Sequence, residues 1–225
     1  MSTYKGEPSE AAASFAWWDH KYLPLLRELD RTAPILELGC GSGRLLEYLG
    51  RRGFLHALGI DMSAEQCALA AQRGLKVEVA DAFDFLEDHS SGFQAIVAVD
   101  VLEHFTRDEL LRLIPRIFTA LRPHGLLLVQ TANGAGLFAR QVIFGDLTHV
   151  TIFTPQSLAQ LLRPFGFEDL AFYETGPIPI RIRGKFDTLA WRAITGIASL
   201  VRSIETGKRQ SIWTENFICL ARRPG

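Results

Sequence analysis

Ile35-Leu-Glu-Leu-Gly39-Cys-Gly41-Ser-Gly43-Arg-Leu-Leu46 is the stretch on which the fold turns. A short apolar run behind Pro34, broken only by Glu37, leads into glycines at 39, 41 and 43, and leucines at 45, 46 and 49 then follow in helical spacing. Strand, glycine turn and helix in that order bring bare backbone N–H groups and a helix N-terminus up to a ligand, because no Cβ holds it off. The dinucleotide fingerprint is G-x-G-x-x-G with an acidic residue about 20 positions on. Here the third glycine falls one position early and Arg44 stands where that pattern wants Gly or Ala. No lysine follows, as a phosphate-cradling loop would require.

Reading outward from the turn, Phe54 to Ile60 is predicted as a second strand that delivers Asp61, 24 residues past Glu37. A carboxylate there can accept both hydroxyls of a ribose. Ser63 caps a helix to Arg73, with Glu65 in its first turn. Leu75 to Ala80 reads as a third strand and is followed by Asp81-Ala-Phe83, while Asp84, Glu87 and Asp88 read as solvated charges. Phe93 to Val99 is apolar almost throughout, as a strand buried on both faces should be. It ends in Asp100-Val-Leu-Glu103-His104-Phe105. Thr106 to Leu121 has the stripe of an amphipathic helix, and Leu126 to Thr131 is a fifth strand. Polar and glycine residues thus gather at the C-terminal strand ends, where open α/β sheets bind their ligands.

The series Glu37-x-Gly39-x-Gly41-x-Gly43, Asp61, Asp81, Val99-Asp100-Val-Leu-Glu103-His104 and Leu121-Arg-Pro-x-Gly125 covers residues 35–132. In order, spacing and residue type it resembles the class I S-adenosylmethionine (SAM) methyltransferases. The resemblance implies a Rossmann-like, seven-stranded, mostly parallel sheet flanked by helices, with SAM as cofactor. The cofactor residues it implies are Glu37, Gly39, Cys40, Gly41, Gly43, Asp61, Met62, Asp81, Ala82, Phe83, Asp100 and Val101, with Asp81 taking the adenine amine. Phe15, Trp18, Tyr22, Leu25, Leu26 and Leu29 form a helical stripe interrupted at Pro24, ahead of which residues 1–13 are expected to be loose. The stripe is either core packing or a cap over the cofactor through Trp18, as N-terminal helices of the family often are.

The bulk numbers suit one α/β domain over residues 1–225: a chain of 25.1 kDa, 48% hydrophobic and 22% charged. A net charge of −1 gives no pull toward nucleic acid, but residues 1–175 carry −7 and residues 176–225 carry +6. Cys40, Cys67 and Cys219 stand far apart in no metal-like pattern, which suggests a reduced, cytoplasmic protein. Neither a leader peptide nor a spanning segment is expected.

The acceptor side should lie beyond Asn133, in a loop and helix spanning 133–165. Asp146-x-Thr148-His149, Phe153-Thr-Pro-x-Ser-Leu158 and Gly166-Phe167 resemble methyltransferases of sugars and polysaccharide intermediates, and those of polyprenylated phenols in quinone synthesis. After a sixth strand at Leu170 to Tyr173, residues 176–213 form a basic insertion with a helix from Phe186 to Ile204, and Glu215 to Ala221 is strand seven. That helix reads either as a packing element or as an interfacial helix, its 181–204 stretch meeting a membrane or a lipid-linked substrate.

Methyl transfer from SAM is an in-line displacement in which the protein mainly positions the acceptor and sheds its proton. His149, His104 and Glu103 are the candidates for that work, with His149 first. Asp100, Glu103 and His104 also match a divalent-cation set of quinone-pathway O-methyltransferases, but no metal is expected here because Asp100 replaces a longer glutamate. The function implied is O-methylation of a small-molecule or saccharide acceptor. A prenylated phenol acceptor, a non-catalytic SAM-binding module and a dehydrogenase are the competing readings.

Overall fold

A computed structural model describes the backbone of residues 8–225 and the side chains of residues 14–225. The expected looseness of residues 1–13 therefore falls outside the described residues for 1–7, whereas Pro8–Lys21 is helix α1. The remaining helices are α2 (Arg44–Arg51), α3 (Ala64–Gln72), α4 (Ala82–Glu87), α5 (Arg107–Ala120), α6 (Ala139–Gly145), α7 (Pro155–Leu162) and α8 (Ile182–Thr206). The strands are β1 (Ile35–Leu38), β2 (Ala57–Asp61), β3 (Val77–Val79), β4 (Phe93–Val99), β5 (Leu121–Ala132), β6 (Glu168–Glu174) and β7 (Asn216–Arg222).

All seven strands join one sheet in the order β3-β2-β1-β4-β5-β7-β6. β1 to β5 run parallel, and β7 is antiparallel to both β5 and β6. Strand order reverses between β1 and β4, so the C-terminal ends of those two strands open the crevice in which such sheets hold ligands. The sequence places the strands this way because β1, β4 and β5 are apolar on both faces. Ile35, Leu36, Ile96, Val97, Leu127 and Val129 are all essentially inaccessible. Helix α5 closes one face through Leu110, Leu113, Ile114 and Ile117. Its start is fixed by a capping box in which the Thr106 hydroxyl accepts from Glu109 N while the Glu109 carboxylate accepts from Thr106 N, a device worth about 1 kcal/mol. Thr154 and Ser157 cap α7 in the same reciprocal way.

The predicted boundaries shift at several elements, and α8 begins at Ile182 rather than Phe186. The second strand begins at Ala57 rather than Phe54, whose buried ring lies 4.3 Å beneath the Arg31 guanidinium. Hydrophobic periodicity cannot separate a buried turn residue from a strand residue. Asp84 and Glu87 lie on the six-residue helix α4, which is too short to show a stripe. Strand five reaches back to Leu121, which pairs with Phe93 before the register shifts to Ala95 opposite Leu126.

The chain divides into two compact units. Arg31–Thr175 and Gln210–Gly225 make up the sheet with its helices, and α1 belongs with Gly176–Arg209 in the other. Within that second unit Trp18 stacks on Phe15 at 5.7 Å and on Tyr22 at 6.4 Å.

Candidate active site

The glycine turn between β1 and α2 has all three glycines at positive φ, where a Cβ is disfavoured, but they meet different surroundings. A Cβ on Gly39 would overlap Val101 Cγ2 at 2.6 Å, and one on Gly43 would meet Leu75 Cδ1 at 2.5 Å and Ala70 Cβ at 3.1 Å. A Cβ on Gly41 would meet nothing within 4 Å. Gly39 and Gly43 are therefore glycines for packing, whereas Gly41 is glycine for its positive φ and faces open space, and neither Gly41 nor Gly43 lines the cavity beside Asp61.

Asp61 holds this turn in place. One of its carboxylate oxygens accepts from Gly41 N at 2.8 Å and the other from Ser63 N at 2.8 Å. A carboxylate offers about four lone-pair sites, so each oxygen keeps capacity for a hydroxyl. Asp61 lines a cavity of about 290 Å³ together with Gly39, Met62, Asp81, Ala82, Asp100, Val101 and His104, all of them predicted for this site. Phe105 lines it too. Phe83, expected to flank an adenine, does not line the cavity but stands edge-on to Phe105 at 5.8 Å, with Arg112 5.1 Å from its ring. Asp81 caps α4, one oxygen accepting from Phe83 N at 2.7 Å and Asp84 N at 3.4 Å.

Glu37 and Cys40 support the turn from below rather than lining the cavity. Glu37 is buried; Leu46 hydrogen-bonds it through the backbone, and its Oε2 has no partner among the described residues. Burial holds its carboxyl well above the usual range, and the nearby Asp61 charge adds to the rise. The Cys40 thiol, pushed up to about 12 chiefly by burial, sits where Gly59 has no side chain: a Cβ on Gly59 would come within 2.7 Å of the sulfur. That glycine went unread in the sequence.

At the β4 edge, Asp100 adopts φ +53° and its carboxylate accepts from Gln130 Nε2 at 3.2 and 3.3 Å. Desolvation raises its pKa, and the Gln130 hydrogen bond and the fields of His149 and His104 pull the other way. Glu103 is buried and turned inward. Its carboxylate accepts from Thr131 Oγ1 at 2.9 Å, and its carbonyl accepts from Val150 N and Thr151 N at 2.9 and 3.0 Å. That geometry makes Glu103 the strut that ties the 146–151 loop to the strand end.

The loop delivers a short polar chain. Asp146 Oδ1 accepts from Thr148 N at 2.8 Å and from Thr148 Oγ1 at 2.6 Å, which holds the Asp146 carboxyl below its usual range. His104 Nδ1 lies 3.0 Å from Thr148 Oγ1 and 3.2 Å from Thr148 O. Since the hydroxyl proton is directed to Asp146, both neighbours of Nδ1 act as acceptors. Nδ1 therefore carries the proton in neutral His104, and Nε2 keeps the lone pair. His149 stands edge-on to His104 with ring centroids 4.9 Å apart, and it is not among the residues lining the cavity. Among the described residues no group of three His, Cys, Asp or Glu is arranged to hold a metal ion.

Comparison with known proteins agrees with this fold. Residues 12–171 match the family described as "Methyltransferase domain". A mitochondrial ubiquinone biosynthesis O-methyltransferase of Mus musculus is 26% identical over 200 residues, covering 69% of this chain and 53% of that protein. The chain thus spans about half the length of this curated relative. A probable tRNA methyltransferase 9B of Bos taurus is 33% identical over 105 residues, covering 46% of this chain and 22% of its own length. Among solved structures, a SAM-dependent methyltransferase of Archaeoglobus fulgidus superposes with a TM-score of 0.70 at 17% identity, covering 94% of each chain.

Proposed function

The chain belongs to the methyltransferase domain family, and from that premise we propose that it O-methylates a small-molecule hydroxyl, using SAM at the β1–β4 crevice and His104 as the proton acceptor. When bound, SAM supplies a methyl group already activated on a sulfonium, so the protein's remaining tasks are placement and proton removal. The bare backbone of the turn and the Asp61 carboxylate suit the cofactor: no Cβ at Gly41 to hold it off, and spare lone pairs for the ribose hydroxyls. Asp81 and Phe105, both lining the same cavity, offer a polar group and an aromatic ring for the adenine.

The observation that carries the catalytic part is the pair of contacts from His104 Nδ1 to the Thr148 hydroxyl and carbonyl, which select its tautomer. Asp146 orients Thr148, Thr148 accepts the hydrogen bond from Nδ1–H, and Nε2 is left as a base on a residue that lines the cavity. A base oriented by a third group is the arrangement that hydroxyl activation uses. His149, ranked first from sequence, packs against His104 instead, so we assign it to holding the acceptor or the partner ring. Glu103 is assigned to the strut.

Of the acceptor types weighed from sequence, a phenol is favoured over a saccharide hydroxyl. A phenolic O–H has a pKa of about 10 and yields its proton to an imidazole far more readily than an alcohol does. Similarity to a ubiquinone biosynthesis O-methyltransferase supports the same choice. The test is release of S-adenosylhomocysteine on a panel of catechols and prenylated phenols, nucleotide-sugars and lipid-linked saccharides. Turnover on the phenols is expected. Turnover on saccharides alone would overturn the acceptor class, and SAM binding without turnover on any panel member would favour a binding module.

A further inference from the structure

Helix α8 turns its apolar side outward. At about 100° per residue, Ile182, Phe186, Leu189, Ile197, Leu200 and Ile204 fall within a sector about 80° wide. All six are exposed, from 62% at Leu200 to 89% at Ile182. The half-buried positions, among them Gly184, Thr188, Trp191, Thr195, Ala198 and Ser199, lie on the opposite side. The threonines there satisfy their hydroxyls on the helix itself: Thr188 donates to Gly184 O at 2.7 Å and Thr195 to Trp191 O at 2.9 Å. Gly184 is required because a Cβ would overlap the Ile178 carbonyl oxygen. Apart from Trp191, the side made for close approach within the protein is thus built of small residues, and the side left to the surroundings is aliphatic and aromatic.

We propose that α8 docks on an anionic lipid bilayer, lying in its interface with the 182–204 stripe down. Charge is the first reason. Residues 176–209 hold seven basic and two acidic residues. Lys185 and Arg192, both exposed, flank one edge of the stripe, and Arg183 flanks the other, 3.8 Å from Asp187. A second copy of the same basic helix would set like charges against each other, whereas an anionic surface complements them. The stripe's period is the second reason. With Ala193 included, its members step by 4, 3, 4, 4, 3 and 4 residues, two 11-residue repeats. That period follows a nearly straight helix for about 33 Å and does not suit the left-handed supercoil in which paired helices bury a 3.5-residue seam. No described helix is long and apolar enough to cross a membrane, so α8 would lie on the surface rather than span it.

The experiment is co-sedimentation of the full chain with vesicles of phosphatidylcholine alone and of an equal mixture of phosphatidylcholine and phosphatidylglycerol, paired with light scattering for oligomeric state. We expect a monomer that pellets with the mixed vesicles and at least about tenfold more weakly with the neutral ones. The variant Phe186→Gln/Leu189→Gln/Ile197→Gln replaces only exposed side chains with a good helix former, and it should lose vesicle binding while keeping its melting temperature. Lys185→Glu/Arg192→Glu should lose the preference for phosphatidylglycerol. Vesicle binding unchanged in both variants would overturn the proposal. So would a wild-type dimer that ignores vesicles and falls apart in the triple variant, since the stripe would then belong to a second copy.

Discussion

Replacing Asp61 by asparagine should break the cofactor site even though the side chain keeps its shape. In the wild type the two carboxylate oxygens accept from Gly41 N and Ser63 N, each at 2.8 Å. An amide has one oxygen, so whichever way it flips, one of those two N–H groups faces an NH₂ donor. The first loss is a hydrogen bond to a charged acceptor, about 1.5–3 kcal/mol. The ribose contact is weakened as well, because a donor replaces one of its acceptors. Taken together, SAM affinity should fall by about 10- to 150-fold, the lower end applying if the turn relaxes around the amide. Asp61→Ala should fall at least as far and should also lower the melting temperature by several degrees, because both backbone amides lose their acceptor. Isothermal titration with SAM and a thermal melt on the same samples separate the two effects. An Asp61→Asn protein that binds SAM within twofold of wild type would refute the view that this carboxylate both clamps the turn and meets the cofactor.

The turn's glycines should part company under mutation. Gly41→Ala should fold, with a strain cost of about 1–2 kcal/mol at positive φ, but lose SAM binding at least about tenfold if SAM approaches the bare backbone there, since the new methyl would stand in the open space before the turn. Gly43→Ala should instead lower thermal stability, the added methyl meeting Leu75 and Ala70 at a cost of about 1–3 kcal/mol beyond the φ strain. For Glu37, whose folded pKa is raised by burial, the folded state retains a proton that the unfolded chain has released, so this residue makes stability fall as pH rises above the usual carboxylate range. Glu37→Gln should therefore gain in melting temperature relative to wild type as pH rises above the usual carboxylate range; parallel melting curves at every pH would contradict the burial account. Activity should persist in excess EDTA, and an EDTA-dead protein rescued by Mg²⁺ would point to cation binding by Asp100 and its neighbours.

Much of the fold was legible because the central strands carry their own evidence. β1 and β4 are buried on both faces and bounded by glycine or charge, so an apolar run alone marks them. β3 has three residues and two are exposed, so little in its composition fixes its limits. Helix α6 escaped notice for a related reason: Phe144 is largely exposed, and only Ala139 of its seven residues is buried. On the cofactor side, the spacing of Gly39, Gly41, Gly43 and Asp61 was enough to assemble the turn, because all four lie on elements adjacent in both chain and sheet. The catalytic side was legible as a set of residues but not as an arrangement. His104 and Thr148 are 44 residues apart and meet where the Glu103 and Phe105 carbonyls hold the loop at Val150 and Thr151. Periodicity likewise reveals the apolar stripe of α8 but not the direction it faces, which depends on Gly184 and the threonine side fitting inward.

The most direct measurement of the central claim is kcat and SAM affinity taken side by side for His104→Ala and His149→Ala on one accepted phenol. A positioned base contributes about 10²–10⁴ in rate. His104→Ala should therefore lose kcat by that order, with SAM affinity within about threefold and the ascending limb of the pH profile gone, because the base acts on the acceptor's proton. His149→Ala should chiefly raise KM for the acceptor. A His104→Ala enzyme that keeps its kcat and its pH limb, while His149→Ala loses both, would contradict the account and return the proton to His149.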